Sequence, residues 1–134
     1  MLVSKDIGFE AAHNLVNYNG RCENLHGHSW RMRVTIEAPV DDRGLAFDFV
    51  TLSTALRERI YDVLDHSYLN DVLPQSSAEN LAAWAWCQLA DLPLKQIIVW
   101  ETADAFVVYD GPEQEARLRQ AWEARGVDLP SPVA

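Results

Sequence analysis

The stretch "HGHSWRMRVTIE", residues 26–37, alternates without a break. His26, His28, Trp30, Met32, Val34 and Ile36 fall on one face, and Gly27, Ser29, Arg31, Arg33, Thr35 and Glu37 on the other. A period of two marks a strand with one buried face. That face opens with two histidines and continues as hydrocarbon. Residues 2–13 repeat the pattern, with Val3, Ile7, Phe9, Ala11 and His13 together on one side. Two strands joined by a dozen residues predict a hairpin that brings their histidine ends side by side.

Further along, Pro39, Asp41, Asp42 and Gly44 read as a turn. Asp48 suits the N-cap of a helix with Phe49, Leu52, Leu56, Ile60 and Val63 on its inner side. The segment "LDHSYLNDVLP" interrupts. Ser76 and Glu79 then predict a capping box for a second helix, with Leu81, Trp84, Ala85 and Leu89 inward and Pro93 closing it. "KQIIVWET" and "AFVVY" read as strands of a hairpin turning at Ala103-Asp104. Pro112 can open a last helix with Ala116, Leu118 or Arg119, and Trp122 inward, and "DLPSPVA" reads as a frayed tail. The expected fold is α+β: a ββααββ antiparallel four-stranded sheet with helices on one face, plus a C-terminal helix, in a single domain spanning 1–134.

Composition narrows the function. The chain has 134 residues, 49% of them hydrophobic, with five Trp, four Tyr and four Phe to fill one core. Eleven basic and 20 acidic residues leave a net charge of −9. That balance argues against a nucleic-acid or anionic-membrane partner, which would want a basic face. No apolar run approaches the roughly 20 residues of a membrane span, and the first residues lack a secretory pattern. Two cysteines, one set among histidines, are no disulfide framework. The expectation is a soluble, reduced, cytoplasmic protein.

Three of the four histidines lie between positions 13 and 28. His26 and His28 project from one strand face about 7 Å apart along the chain. With His13 arriving from the neighbouring strand, three neutral imidazoles suit Zn2+ with a fourth position open to water or substrate. For any one of them alone, a half-buried histidine beside a turn is the simpler account. Cys22, on the connecting loop, is a fourth ligand, a structural cysteine or a reactive base near a dication. Cys87 sits among apolar residues and reads as packing. Asp65 directly precedes His66; the pair suits a proton shuttle, and a histidine at a helix C-terminus is the alternative. Glu101 follows "IIVW", where a ligand with two parallel N–H donors would satisfy it; a strand-end carboxylate in water is the alternative. No glutamate follows either paired histidine as in a zincin, which removes that hydrolase class.

"FEAAHNL", "CENLHGHSW", "FDFVTL", "LDHSYLND", "SAENLAAW" and "VWETADAFVVY" resemble, in that order, the 6-pyruvoyl-tetrahydropterin synthase / 6-carboxy-tetrahydropterin synthase family. The resemblance runs from about residue 7 to 110 and implies the tunnelling fold (T-fold), whose trimers close into barrels that stack as hexamers. It implies Zn2+ on His13, His26 and His28, Cys22 as catalytic base, and Asp65 with His66 as proton-transfer pair. Glu101 is implied as the pterin anchor, with Thr102 beside it. Ser77 stands where the family often carries a threonine, in its Pro-Thr-x-Glu motif. The implied substrate is 7,8-dihydroneopterin triphosphate. The first product reading is 6-carboxy-5,6,7,8-tetrahydropterin for the deazapurine (queuosine) route. The runner-up is cleavage to 6-hydroxymethyl-7,8-dihydropterin for folate synthesis, then a 6-pyruvoyl product; a non-catalytic pterin- or zinc-binding relative is the different-class alternative. Glu23 feeds the runner-up, because the folate-linked branch places its base there; a solvated loop acid is the alternative. The partners implied are a small pterin triphosphate and further copies of the chain, as trimer or hexamer.

Overall fold

The computed structural model describes residues 1–124. Residues 125–134, "DLPSPVA" included, and the side chain of Trp122 lie outside the described residues. Strands β1 (Leu2–His13) and β2 (His26–Glu37) form the expected antiparallel hairpin, in continuous register from Leu2 opposite Glu37 to His13 opposite His26. β4 (Leu94–Trp100) pairs antiparallel with β2, and β5 (Phe106–Tyr109) with β4. The four-stranded expectation is one strand short. Ser67–Tyr68 forms β3, parallel to Ala11–Ala12, and the sheet order is β3-β1-β2-β4-β5. Two residues carry no periodicity, so the sequence gives no sign of this strand.

Alternation sorts the sheet into two faces. On one, Phe9, Trp30, Met32, Val34, Ile36, Ile97 and Val99 are buried. On the other, directly opposed polar pairs cross the β1–β2 ladder: Ser4 with Thr35 at 2.8 Å, Asp6 with Arg33 at 2.7 Å, and Ser29 donating to Glu10 at 2.8 Å. On that polar face the Arg31 guanidinium lies 3.8 Å over the Trp100 ring.

The helices cover the apolar face. Asp48 caps α1 (Phe49–Leu56) by accepting from the Val50 N–H at 2.8 Å. The turn before it is closed by the Asp41 carboxylate, which accepts from the backbone of Arg43 and Leu45, and by Gly44 at φ 83. The helix continues through a π-helical turn (Arg57–Tyr61) into α2 (Asp62–Leu64). Leu52, Leu56, Ile60 and Leu64 are fully buried at a spacing of four. In an unbroken α-helix each step of four overshoots a turn by about 40°. The wider π turn takes up that drift. Leu64 therefore occupies the inward place expected for Val63, which is 42% exposed; Phe49, at the helix entry, also projects into solvent.

α3 (Ala78–Gln88) buries Leu81 and Ala85, with Leu89 just beyond it, while Trp84 is half-buried. Its N-cap is Ser77, whose hydroxyl accepts from the Asn80 N–H at 3.2 Å. The predicted Ser76–Glu79 box is one residue early, because the Ser76 hydroxyl donates instead to Asn70 at 2.6 Å. α4 (Pro112–Glu123) lays Leu118 against the core, whereas Ala116 is exposed. Cys87 is buried, as its apolar neighbours suggested. Among the described residues, no helix is long and apolar enough to cross a membrane.

Candidate active site

The ladder register places His13 directly opposite His26, with His28 two residues further along the same face. The three rings meet nearly edge to face, with centroids 4.5, 5.2 and 4.8 Å apart. Trp30, next along the stripe, stands against His13 at 4.9 Å and His28 at 5.4 Å and closes the site toward the core.

Backbone carbonyls fix two of the tautomers. His13 Nδ1 lies 2.8 Å from the Ser76 carbonyl, and His26 Nδ1 lies 2.6 Å from that of Asn24. A carbonyl only accepts, so each Nδ1 carries the proton and each Nε2 keeps its lone pair. Burial is the main cause of a lowered pKa at both His13 and His28, so neutral rings are favoured. His13 Nε2 and His28 Nε2 are buried without a hydrogen-bond partner. The Glu101 carboxylate stands 3.2 Å from His28 Nε2 but off the direction of a hydrogen bond. One donor atom each from His13, His26, His28 and Glu101 lie within 4.8 Å of one another. Imidazole nitrogens and a carboxylate are a donor set that zinc accepts, and an ion would answer two nitrogens whose burial is otherwise costly. The residues fit a divalent cation.

Glu101's place in this group was not legible in the sequence, which offered it as a substrate anchor. It lies just beyond β4, in the loop to β5, and the β2–β4 register turns it toward the histidine face because Trp100, opposite Arg31, points to the other. Thr102 shapes that loop: its hydroxyl donates to Asp104 at 3.1 Å and accepts from the Ala105 N–H at 3.2 Å. Ser77 lies buried at the α3 N-cap, its hydroxyl engaged there.

Cys22 sits in a short 3-10 turn (Arg21–Glu23) on the loop between β1 and β2. It is half-buried, with a free thiol outside the group of four donors. Glu23, exposed in the same turn, accepts from the Tyr18 N–H at 3.2 Å.

Asp65 and His66 do form a pair, with His66 Nδ1 2.7 Å from Asp65. The other Asp65 oxygen accepts from the Glu10 N–H at 3.0 Å. That backbone donor first, then His66 and the Tyr61 hydroxyl, holds the Asp65 carboxyl below its ordinary range. The same contact with Asp65 raises Tyr61. His66 takes a left-handed φ of 57, fixed by its own N–H donating to the Glu10 carbonyl. Its side chain is 80% exposed and borders a groove that Glu10, Ala12, Gly27, Ser29 and also His28 line. Neither member joins the four converging donors.

A profile of the 6-pyruvoyl tetrahydropterin synthase family matches residues 2–112. The chain belongs to that family. The 6-carboxy-5,6,7,8-tetrahydropterin synthase of Synechocystis sp. is 36% identical over 121 residues, 83% of this chain and 94% of that protein. The dihydroneopterin monophosphate aldolase of Pyrococcus furiosus is 30% identical over 84 residues, 59% of this chain and 72% of that protein. The solved Caenorhabditis elegans 6-pyruvoyl tetrahydropterin synthase superimposes with a TM-score of 0.76 at 23% identity, covering 84% of this chain and 96% of that one. The fold of this pterin-synthase family member is the T-fold.

Proposed function

We propose that the protein converts 7,8-dihydroneopterin triphosphate and water to 6-carboxy-5,6,7,8-tetrahydropterin, with release of triphosphate and of the outer two side-chain carbons as acetaldehyde, using a zinc ion held by His13, His26 and His28. The observation that carries this reading is the convergence of three imidazoles, two with buried and unpartnered Nε2 atoms, beside Glu101. The choice of product is supported by the Synechocystis relative, which is more similar over a longer span than the aldolase.

A bound zinc would supply Lewis acidity at the substrate's side-chain oxygens. The chain's own residues supply the rest. The Cys22 thiolate takes the proton from the side-chain carbon. Asp65, kept ionised by the Glu10 N–H, holds the His66 Nδ1–H, so His66 Nε2 is free to move a proton on the other side. Glu101, beside the imidazoles but outside the proposed three-histidine ligand set, accepts two N–H groups from the amino-pyrimidine edge, a bidentate geometry that fixes the ring. Thr102 holds the loop that aims it. Glu23, already engaged with the Tyr18 N–H, acts as a loop brace.

The pocket is proposed to form between neighbouring chains of a trimer or hexamer, with Cys22 and zinc from one chain and Asp65–His66 from the next. This is supported by the exposure of the His66 side chain at the surface of its own chain. β5 is a sheet edge that carries exposed Phe106 and Val108, and such edges invite pairing with another chain.

The direct test incubates the purified protein with 7,8-dihydroneopterin triphosphate and identifies the product by mass. The 6-carboxy product is expected. A 6-hydroxymethyl product would overturn the product assignment, and untouched substrate in metal-replete protein would overturn the enzyme.

A further inference from the structure

The β1–β3 pairing stops after Ala12 and Tyr68, yet the chain beyond β1 is not left open. Two side-chain amides continue the ladder. Asn70 grips both backbone groups of Asn14, accepting from its N–H at 3.1 Å and donating to its carbonyl at 2.9 Å. Gln75 does the same to Val16, accepting at 2.7 Å and donating at 3.0 Å. Leu15, between these gripped residues, points its own N–H the other way, as alternation requires, and donates to the Cys22 carbonyl at 2.6 Å. The loop reverses in between through Asn17 and Asn19, both at left-handed φ. Cys22 is thus tied to a residue clamped on either side.

The gripping segment is itself held. Gln75 is 2% exposed, and its own carbonyl accepts from the Asn80 side chain at 3.1 Å. Ser76 follows immediately, donates to Asn70, and supplies the carbonyl that fixes His13 Nδ1. One short run of chain therefore sets the orientation of a metal-site histidine and the path of the loop carrying the thiol. We infer that Gln75, with Asn70, is a positioning residue that fixes Cys22 relative to the imidazole cluster. This rests on Cys22 being the base of the proposed reaction.

Gln75→Leu removes both bonds at nearly constant volume, and Gln75→Glu makes the clamp titratable. As the acid, the introduced carboxyl can both accept and donate as glutamine does; as the carboxylate it only accepts. Readouts are the zinc content of the whole protein, alkylation of Cys22 by iodoacetamide with buried Cys87 as internal control, and kcat with KM. The Leu variant is expected to keep its zinc, to alkylate at Cys22 roughly tenfold faster, and to lose roughly tenfold or more in kcat with KM little changed. The Glu variant is expected to approach wild-type alkylation at low pH and depart from it as pH rises. Unchanged alkylation in the Leu variant, or zinc lost in step with turnover, would overturn the inference. If the Leu variant does not fold, the Glu series decides, and a Glu variant that tracks wild type at every pH overturns it too. Alkylation needs no pterin, so a protein that turns over no substrate would refute the proposed reaction while the clamp is still measured.

Discussion

At one end of the β1–β2 ladder Val3 lies opposite Ile36 and Ile7 opposite Met32; at the other, His13 lies opposite His26. Both ends use the same strand pairing and turn their side chains to the same face. The apolar end is covered by α1 and α3, and Met32 and Ile36 are fully buried. The imidazole end has Trp30 behind it and polar atoms without partners in front. The sheet supplies equal precision to both, and the chemistry of a few side chains decides which end stabilises the fold and which end offers candidate ligands. Burying hydrocarbon yields roughly 1.5–3 kcal/mol per large side chain, whereas each unpartnered imidazole nitrogen costs stability unless something binds it.

That contrast breaks most visibly at the ligands. His28→Ala should abolish both metal retention and turnover while the fold persists, seen as near-zero zinc by elemental analysis with an unchanged circular dichroism spectrum. Full zinc in that variant would remove His28 from the ligand set. Next in size, Cys22→Ala should keep zinc and lose turnover by roughly 100-fold or more. Co-assembled with an inactive His66→Ala chain, it should regain about a quarter of wild-type activity, because random assembly sets an intact Cys22 against a neighbour's intact His66 at about one pocket in four. With subunit exchange verified by mass, a dead mixture would place both residues in one chain's pocket.

The opposite end should respond in stability alone. Met32→Ala is expected to cost about 2–5 kcal/mol in denaturant unfolding with zinc content unchanged. Loss of zinc there would mean the two ends are not separable. The smallest effect belongs to the polar face. Arg33 holds the Asp6 carboxyl below its ordinary value of 3.8, so the pair's stabilisation is present above that value and fades as pH falls through the lowered one. Asp6→Asn should lower the melting temperature slightly near about pH 6, and the difference should shrink as pH falls below 3.8. A difference that persists in acid would assign the effect to something other than the charge.

Alternation alone made the hairpin, its buried face and the meeting of three histidines legible. What it could not carry was anything fixed by tertiary contact. Leu64 replaces Val63 because a π turn resets the helix phase, and nothing local in "RERIY" announces that. β3 is too short to have a period. Ser77 displaces Ser76 as cap because Asn70, six residues upstream, claims the other hydroxyl. Glu101 joins the imidazoles only through the register of β2 with β4. Asp65 and His66 touch, which their adjacency in sequence alone did not require.

All three imidazoles ride on the first hairpin, and this sets an order of events. Their contacts are close in sequence, so loop closure for them is cheap, and they can meet early as the chain folds. The Ser76 carbonyl and Glu101 arrive from much further along the chain. A newly made chain therefore presents the three histidines before the helices that pack behind them exist. An ion present during synthesis would meet donors on a hairpin alone, whereas one supplied afterwards would meet them with the Ser76 carbonyl and Glu101 already in place.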